Sequence, residues 1–155
     1  MSIAEIDVQH RDAICHLVIR RPERKNALTH TMYSALNEAF LAADSNPDVR
    51  VILISGEGEN FSSGNDLKDF LQYPPIAEDA PVMVMLKTLL QVKKPIVAAV
   101  SGYAIGIGTT LLMHCDLVYC DASTKFQLPF VSLGLCPEAG SSFALPQATG
   151  HRRAA

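Results

Sequence analysis

The chain has 155 residues, of which 48% are hydrophobic, and a formal net charge of −3, which suits one domain with a substantial core. No apolar run reaches the length of a membrane-spanning helix. Charges of both signs are mixed along the chain, without the Lys/Arg block or interleaved aromatics of a nucleic-acid surface, so neither a membrane nor a nucleic acid is an expected partner.

Ile3 to Gln9 alternates and Ala13 to Ile19 is β-rich, which predicts a two-stranded start, followed by a loop from Arg20 to Thr29. Met32, Leu36, Ala39, Phe40 and Ala43 recur at helical spacing until Asn46-Pro47-Asp48 ends the pattern. Val49 to Ser55 is apolar apart from Arg50 and reads as a strand buried on both faces. After the breaker Tyr73-Pro74-Pro75, residues Val82, Met85, Leu86, Leu89 and Leu90 mark a second amphipathic helix. Ile96 to Val100 and Leu117 to Cys120 read as further buried strands, with a helix from Gly106 to Cys115 between them. Strands and helices alternate, which predicts an α/β architecture without internal repeats. Another helix begins at His151, just after Gly150, so an element starts where the sequence stops. A truncated chain is expected, with the helix faces of Met32 to Ala43 and Val82 to Leu90 short of cover and the chain prone to self-association.

Four cysteines, Cys15, Cys115, Cys120 and Cys136, lack Cys-x-x-Cys spacing and histidine partners, which argues against zinc or redox sites and for reduced thiols. The first residues carry no basic segment ahead of an apolar one, so a cytoplasmic setting is expected. Gly56-Glu57-Gly58 follows a strand, but Phe61 replaces the third glycine of a dinucleotide fingerprint, leaving a turn. Two other segments carry more: Asn60-Phe61-Ser62-Ser63-Gly64-Asn65-Asp66-Leu67 and Gly102-Tyr103-Ala104-Ile105-Gly106-Ile107-Gly108. Each is read as leaving a β-branched strand to open a helix, where main-chain N–H groups lack partners and favour negative charge. Two such amides aimed at one oxygen form an oxyanion hole. On local grounds alone, Asp66 is a helix cap and the glycines are close-packing residues.

Phe-x-Ser-Gly-x-Asp-Leu, followed by Pro95 to Gly106 and then Cys115-Asp116-Leu117, resembles the crotonase, or enoyl-CoA hydratase/isomerase, superfamily along the whole chain. The resemblance implies a crotonase (ClpP-like) spiral of β-β-α units. Residues 1–155 would be its N-terminal core domain, a C-terminal helical part being absent and the full-length form assembling as a homotrimer or hexamer. It implies an acyl-CoA substrate, with coenzyme A arriving as part of that substrate and no other cofactor or metal. The oxyanion donors would be the amides of Asn65 and Ile107, where Ile107 replaces a commoner glycine and would tighten the hole. Arg20 to Leu28 reads locally as a solvated basic loop. Matched to the family's Arg-Pro-x-x-x-Asn-Ala-Leu segment, it becomes the edge of the coenzyme A site, with Arg24 or Lys25 facing phosphates and Ala27 and Leu28 against adenine. Ser63, Gly64, Asn65, Asp66, Leu67 and Gly106 would complete the contact.

Enoyl-CoA hydratases of this superfamily use two glutamates, but Thr110 and Phe130 stand at the matching positions here. Instead Cys136-Pro137-Glu138-Ala139-Gly140 carries one glutamate where the delta-3,delta-2-enoyl-CoA isomerase branch keeps its single carboxylate. By itself Glu138 could be a helix-terminal charge, but its apolar neighbours would raise its pKa towards that of a useful base. The expected activity is isomerisation of 3-enoyl-CoA to 2-enoyl-CoA. The alternatives are another reaction of the superfamily, such as hydration or thioester hydrolysis, and acyl-CoA binding without turnover.

Overall fold

The computed structural model describes residues 5–75 and 77–155, so Ile3 and Ala4 of the expected first strand lie outside the described residues. Strand β1 (Ile6–Arg11) pairs antiparallel with β2 (Ile14–Ile19). The tight reversal between them puts Asp12 and Ala13 at positive φ, 48° and 64°. Helix α1 (His30–Ser45) starts where the Thr29 hydroxyl accepts from the Met32 N–H, an N-cap that satisfies one of the orphan donors of the first turn.

Strand β3 (Val51–Gly56) lies parallel to β2 and is followed by α2 (Leu67–Gln72) and α3 (Pro81–Leu89). Strand β4 (Ile96–Val100) is parallel to β3, and the short β5 (Tyr103–Ile105) leads into α4 (Ile107–Thr110), which tightens into a 3₁₀ turn at Leu111–His114. Strands β6 (Leu117–Cys120) and β7 (Lys125–Gln127) precede a 3₁₀ turn at Val131–Leu133, then α5 (Ser141–Thr149) and α6 (His151–Ala154). The main sheet runs β1-β2-β3-β4-β6, and β5 pairs with β7 in a second sheet.

The chain therefore advances as a spiral. After each large-sheet strand from β2 onward comes a short extended segment, then a helix or helical turn. The short segments stack on one another: Ser62 bridges Ala104, and Ala104 pairs with Phe126. The second sheet had no clear sequence signal, since three-residue strands are too short to show alternation.

One core joins the sheet to α1 and α3, containing Leu17, Ile19, Met32, Leu36, Phe40, Ile52, Ile54, Met85, Ile96 and Ala98. Two expectations are corrected. Strands β3 and β4 bury only alternate residues, and β6 is exposed at every position, Tyr119 to 65%. Successive side chains point to opposite faces, and α1 and α3 fill only one of them. For the same reason the apolar face of α1 is covered, as are Val82, Met85 and Leu89 on α3, while Leu90 just past its end is 72% exposed. Further exposed apolar residues include Leu67 and Leu71 on α2, Leu117, Val118 and Tyr119 on β6, and Phe126, Val131 and Phe143.

Candidate active site

The basic loop is shaped by one buried side chain. Asn26 is fully buried at φ +57°, its Oδ1 accepting from the Arg21 N–H (2.8 Å) and its Nδ2 donating to the Glu57 and Asn60 carbonyls (2.9 and 2.6 Å). The Ser62 hydroxyl donates to the Asn26 carbonyl (2.8 Å), tying this loop to the next turn of the spiral. Leu28 then pairs with the first glycine-bearing segment: its N–H donates to the Gly64 carbonyl, and its carbonyl accepts from the Asp66 N–H, both at 2.8 Å. Asn65 lies between those two bonds. Because successive amides of extended backbone point opposite ways, its N–H faces away from Leu28, and it meets no acceptor among the described residues.

The second amide has a different origin. Gly106 sits at φ +56°, ψ −120°, a region closed to residues with a Cβ, and its carbonyl accepts from Thr109 and Thr110. Ile107 is the first residue of α4, and its N–H is a helix-start orphan without an acceptor among the described residues. Gly108 lets α4 approach the first loop closely, since a Cβ there would stand 2.8 Å from the Ser62 carbonyl oxygen. Ser62 and Ala104 are bridged, and Asn65 and Ile107 each follow three residues later, so the two free amides lie at equivalent places in adjacent turns. Both line one cleft of about 500 Å³. Only Ile107 opens a helix, however. Asn65 precedes the Asp66 N-cap of α2, so strand geometry aims its amide. The Ile107 side chain is 1% exposed and packs into the core, so its bulk is accommodated there and does not narrow the opening.

Glu138 lines the same cleft, with Phe70, Pro129 and Phe130. Its Oε1 accepts from the Thr110 hydroxyl at 3.2 Å. Burial pushes the Glu138 carboxyl above its ordinary pKa, and the Thr110 hydrogen bond, which favours the charged form, pulls partly back. Thr110, expected at the first of the two glutamate positions of a hydratase, thus holds Glu138 through its hydroxyl. Helix α5 begins at Ser141 with Gly140 as its N-cap, and the Glu138 side chain turns to Thr110 instead of the N–H groups of α5.

The remaining expected contacts divide. Ser63, Gly64, Leu67 and Gly106 line the cleft with Asn65, Ile107 and Glu138, although the Ser63 N–H is already taken by the Lys25 carbonyl at 2.9 Å. The Asp66 carboxylate caps α2 through the Lys68 and Asp69 N–H groups and pairs with Arg21 at 2.8 Å, and that guanidinium holds its pKa below the usual carboxylate range. Ala27 and Leu28 are 8% and 2% exposed, and Leu28 lines a neighbouring cavity of about 440 Å³ with His30, Tyr33 and Asp66. Arg24 and Lys25 are exposed, and the Lys25 ammonium lies 5.3 Å from the Tyr103 ring centre, an attraction of the cation–π kind.

Sequence reasoning missed two groups. Tyr33, buried in α1, donates its hydroxyl to the Asn65 Oδ1 at 2.5 Å. Burial first, then the negative field of Glu138 and Asp69, pushes the Tyr33 hydroxyl well above its ordinary pKa. His114 donates from Nε2 to the Ala139 carbonyl at 2.9 Å. Tyr33 sat on the first expected helix and His114 near the end of the helix expected from Gly106 to Cys115, and neither position signals a partner distant in sequence.

Comparison with known proteins places this geometry. Residues 9–155 match the family model described as enoyl-CoA hydratase/isomerase. Human enoyl-CoA delta isomerase 2 is 36% identical over 147 residues, covering 90% of this chain and 37% of that protein. Among solved structures, Pseudomonas aeruginosa OdaA is 47% identical with a TM-score of 0.94, over 98% of this chain and 62% of that one. An enoyl-CoA hydratase/isomerase from Pseudoalteromonas atlantica T6c is 39% identical with a TM-score of 0.92, over 97% and 60%. The chain thus spans less than two thirds of each of these relatives, and little more than a third of the human protein.

Proposed function

The chain belongs to the enoyl-CoA hydratase/isomerase family, and within it we propose that the chain carries the site of an acyl-CoA isomerase that moves a double bond from position 3 to position 2. One observation carries the reading: among the described residues, Glu138 is the only carboxylate lining the cleft that holds both free amides. In this mechanism the ionised Glu138 takes a proton from C2 of a 3-enoyl-CoA. The electron pair passes into the thioester carbonyl, and the resulting enolate oxygen is held by the N–H groups of Asn65 and Ile107. As the carbonyl re-forms, C4 receives the proton back from Glu138, leaving the double bond between C2 and C3. A single base serves both transfers because C2 and C4 present the same face to it.

Hydration would need a second acid–base group to activate water, and Thr110 and Phe130 supply none. Coenzyme A enters with the substrate, and no resident cofactor or metal takes part in the proposed steps. Assembly as a homotrimer or hexamer belongs to the same proposal, supported by the apolar residues exposed on β6. Among the described residues, no helix is long and apolar enough to cross a membrane.

The test is Glu138→Gln, which keeps size and hydrogen bonding but removes the base. Conversion of 3-enoyl-CoA should fall by about 10³-fold or more with little change in acyl-CoA affinity. Near-normal isomerisation by the variant, or fast hydration of 2-enoyl-CoA by the wild type, would sink the reading.

A further inference from the structure

We propose that His114 is a positioning residue that holds Glu138 at its working place through the Ala139 carbonyl. The argument begins with how few ties the Glu138 segment has. Cys136 and Pro137 are exposed. Among the described residues, the hydrogen bonds that join residues 136–139 to elements beyond the local turn are two: Thr110 to Glu138 and His114 to Ala139. The local turn itself is closed by the Ser141 N–H on the Glu138 carbonyl, 2.9 Å. Ala139 stands at φ +52° and Gly140 at φ +66°, so an alanine is held in the left-handed region that disfavours a Cβ. Such a conformation persists only when its surroundings hold it. The His114 bond supplies that restraint. A carbonyl only accepts, so Nε2 must carry the hydrogen.

The two ties come from one element. Thr110 and His114 stand four residues apart on the segment Ile107–His114, where α4 runs into its 3₁₀ turn. Leu111 and Leu112, between them, are 1% and 8% exposed and anchor the segment in the core. Its first residue contributes the Ile107 amide to the cleft. One short, core-anchored segment therefore sets the oxyanion donor, the Glu138 carboxylate and the backbone that carries it. The turn that carries the base is thus tied by two hydrogen bonds to the same element that supplies one donor, the kind of support that keeps reacting groups within a fraction of an ångström. His114 also lines, together with Glu138 and Ala139, a largely apolar cavity of about 620 Å³.

This inference rests on Glu138 being the base, and the experiment separates the two. Wild type, His114→Leu, His114→Gln and Glu138→Gln are compared on a 3-enoyl-CoA, with kcat, KM, acyl-CoA affinity and melting midpoint measured for each. Leucine fills the space without a donor, so kcat should fall by about 10- to 100-fold while KM stays within about threefold. Glutamine places an N–H near the position of Nε2, so its kcat should return to within about fivefold of wild type. An unchanged kcat in His114→Leu, equal losses for leucine and glutamine, or a loss that follows the fraction of unfolded protein would each overturn the positioning role. If His114→Leu behaves as expected while Glu138→Gln remains active, the base assignment fails and the proposal falls with it. If Glu138→Gln is inactive and His114→Leu is normal, only the positioning role falls.

Discussion

The hydrogen bond between Tyr33 and Asn65 allows a prediction whose parts can be measured separately. Asn65→Ala leaves the Tyr33 hydroxyl, in a residue only 4% exposed, without an acceptor. A stranded buried hydroxyl costs about 1–3 kcal/mol, its desolvation penalty being left uncompensated. Tyr33→Phe removes the same bond from the other side. The Asn65 carboxamide lines the cleft and can turn to water, so the cost there should be about 0.5–1.5 kcal/mol. The double variant has neither group to strand, so the two effects should fall short of additivity by on the order of 1 kcal/mol. Urea unfolding at constant m gives each value from the shift in midpoint. Additivity within about 0.3–0.5 kcal/mol would show that the two side chains do not share a bond that matters. The same variants bear on catalysis. Because the proposed donor is main-chain, Asn65→Ala should keep kcat within about tenfold, whereas Asn65→Pro, which deletes the N–H, should lose about 10²-fold or more. Equal losses would transfer the role to the side chain.

Thr110→Val removes the hydrogen bond that favours ionised Glu138 and leaves burial unopposed, so the acid limb of the kcat–pH profile should move to higher pH; no movement, or movement downward, would contradict the assignment. For stability the sign is as follows: the folded state raises the Glu138 pKa and binds its proton more tightly than the unfolded chain, so its contribution falls as pH rises from the ordinary carboxylate range through the raised folded value. Glu138→Gln should therefore be more stable than wild type at neutral pH, with the advantage shrinking under acid conditions, as thermal melts at several pH values would show; a pH-independent difference would argue against the raised pKa. Asn26→Ala strands the Arg21 N–H and the Glu57 and Asn60 carbonyls and should cost on the order of 3 kcal/mol; a loss below about 1 kcal/mol in urea unfolding would mean that water replaces these bonds.

Much of the spiral was legible in local pattern. The 3.6-residue spacing from Met32 to Ala43 matched α1 because its apolar stripe faces one core, and Ile96 to Val100 matched β4 to the residue as a short apolar run, although that run gave no sign of which face is buried. Asp66 announced itself as a cap, since a side chain that bonds amides two and three residues ahead needs nothing distant. The glycine-bearing loops and the lone Glu138 were visible through the family resemblance, which identifies residues without their neighbours.

Tertiary structure decided what depended on contacts between turns of the spiral. Strand β6 has the apolar composition of a buried strand, yet lies exposed at the sheet edge, because burial depends on what packs against a strand. Leu28 was expected beside a ligand; it belongs to the core and also lines a cavity with Tyr33 and Asp66. Asn65 was expected to draw its donor from a helix start, but its amide is aimed by the pairing of its neighbours with Leu28. Tyr33 and His114 hold the site from positions 32 and 25 residues away from their partners. A sequence displays the hydrogen-bonding capacity of each side chain and the period of each element, but only the folded chain determines which groups are left to meet.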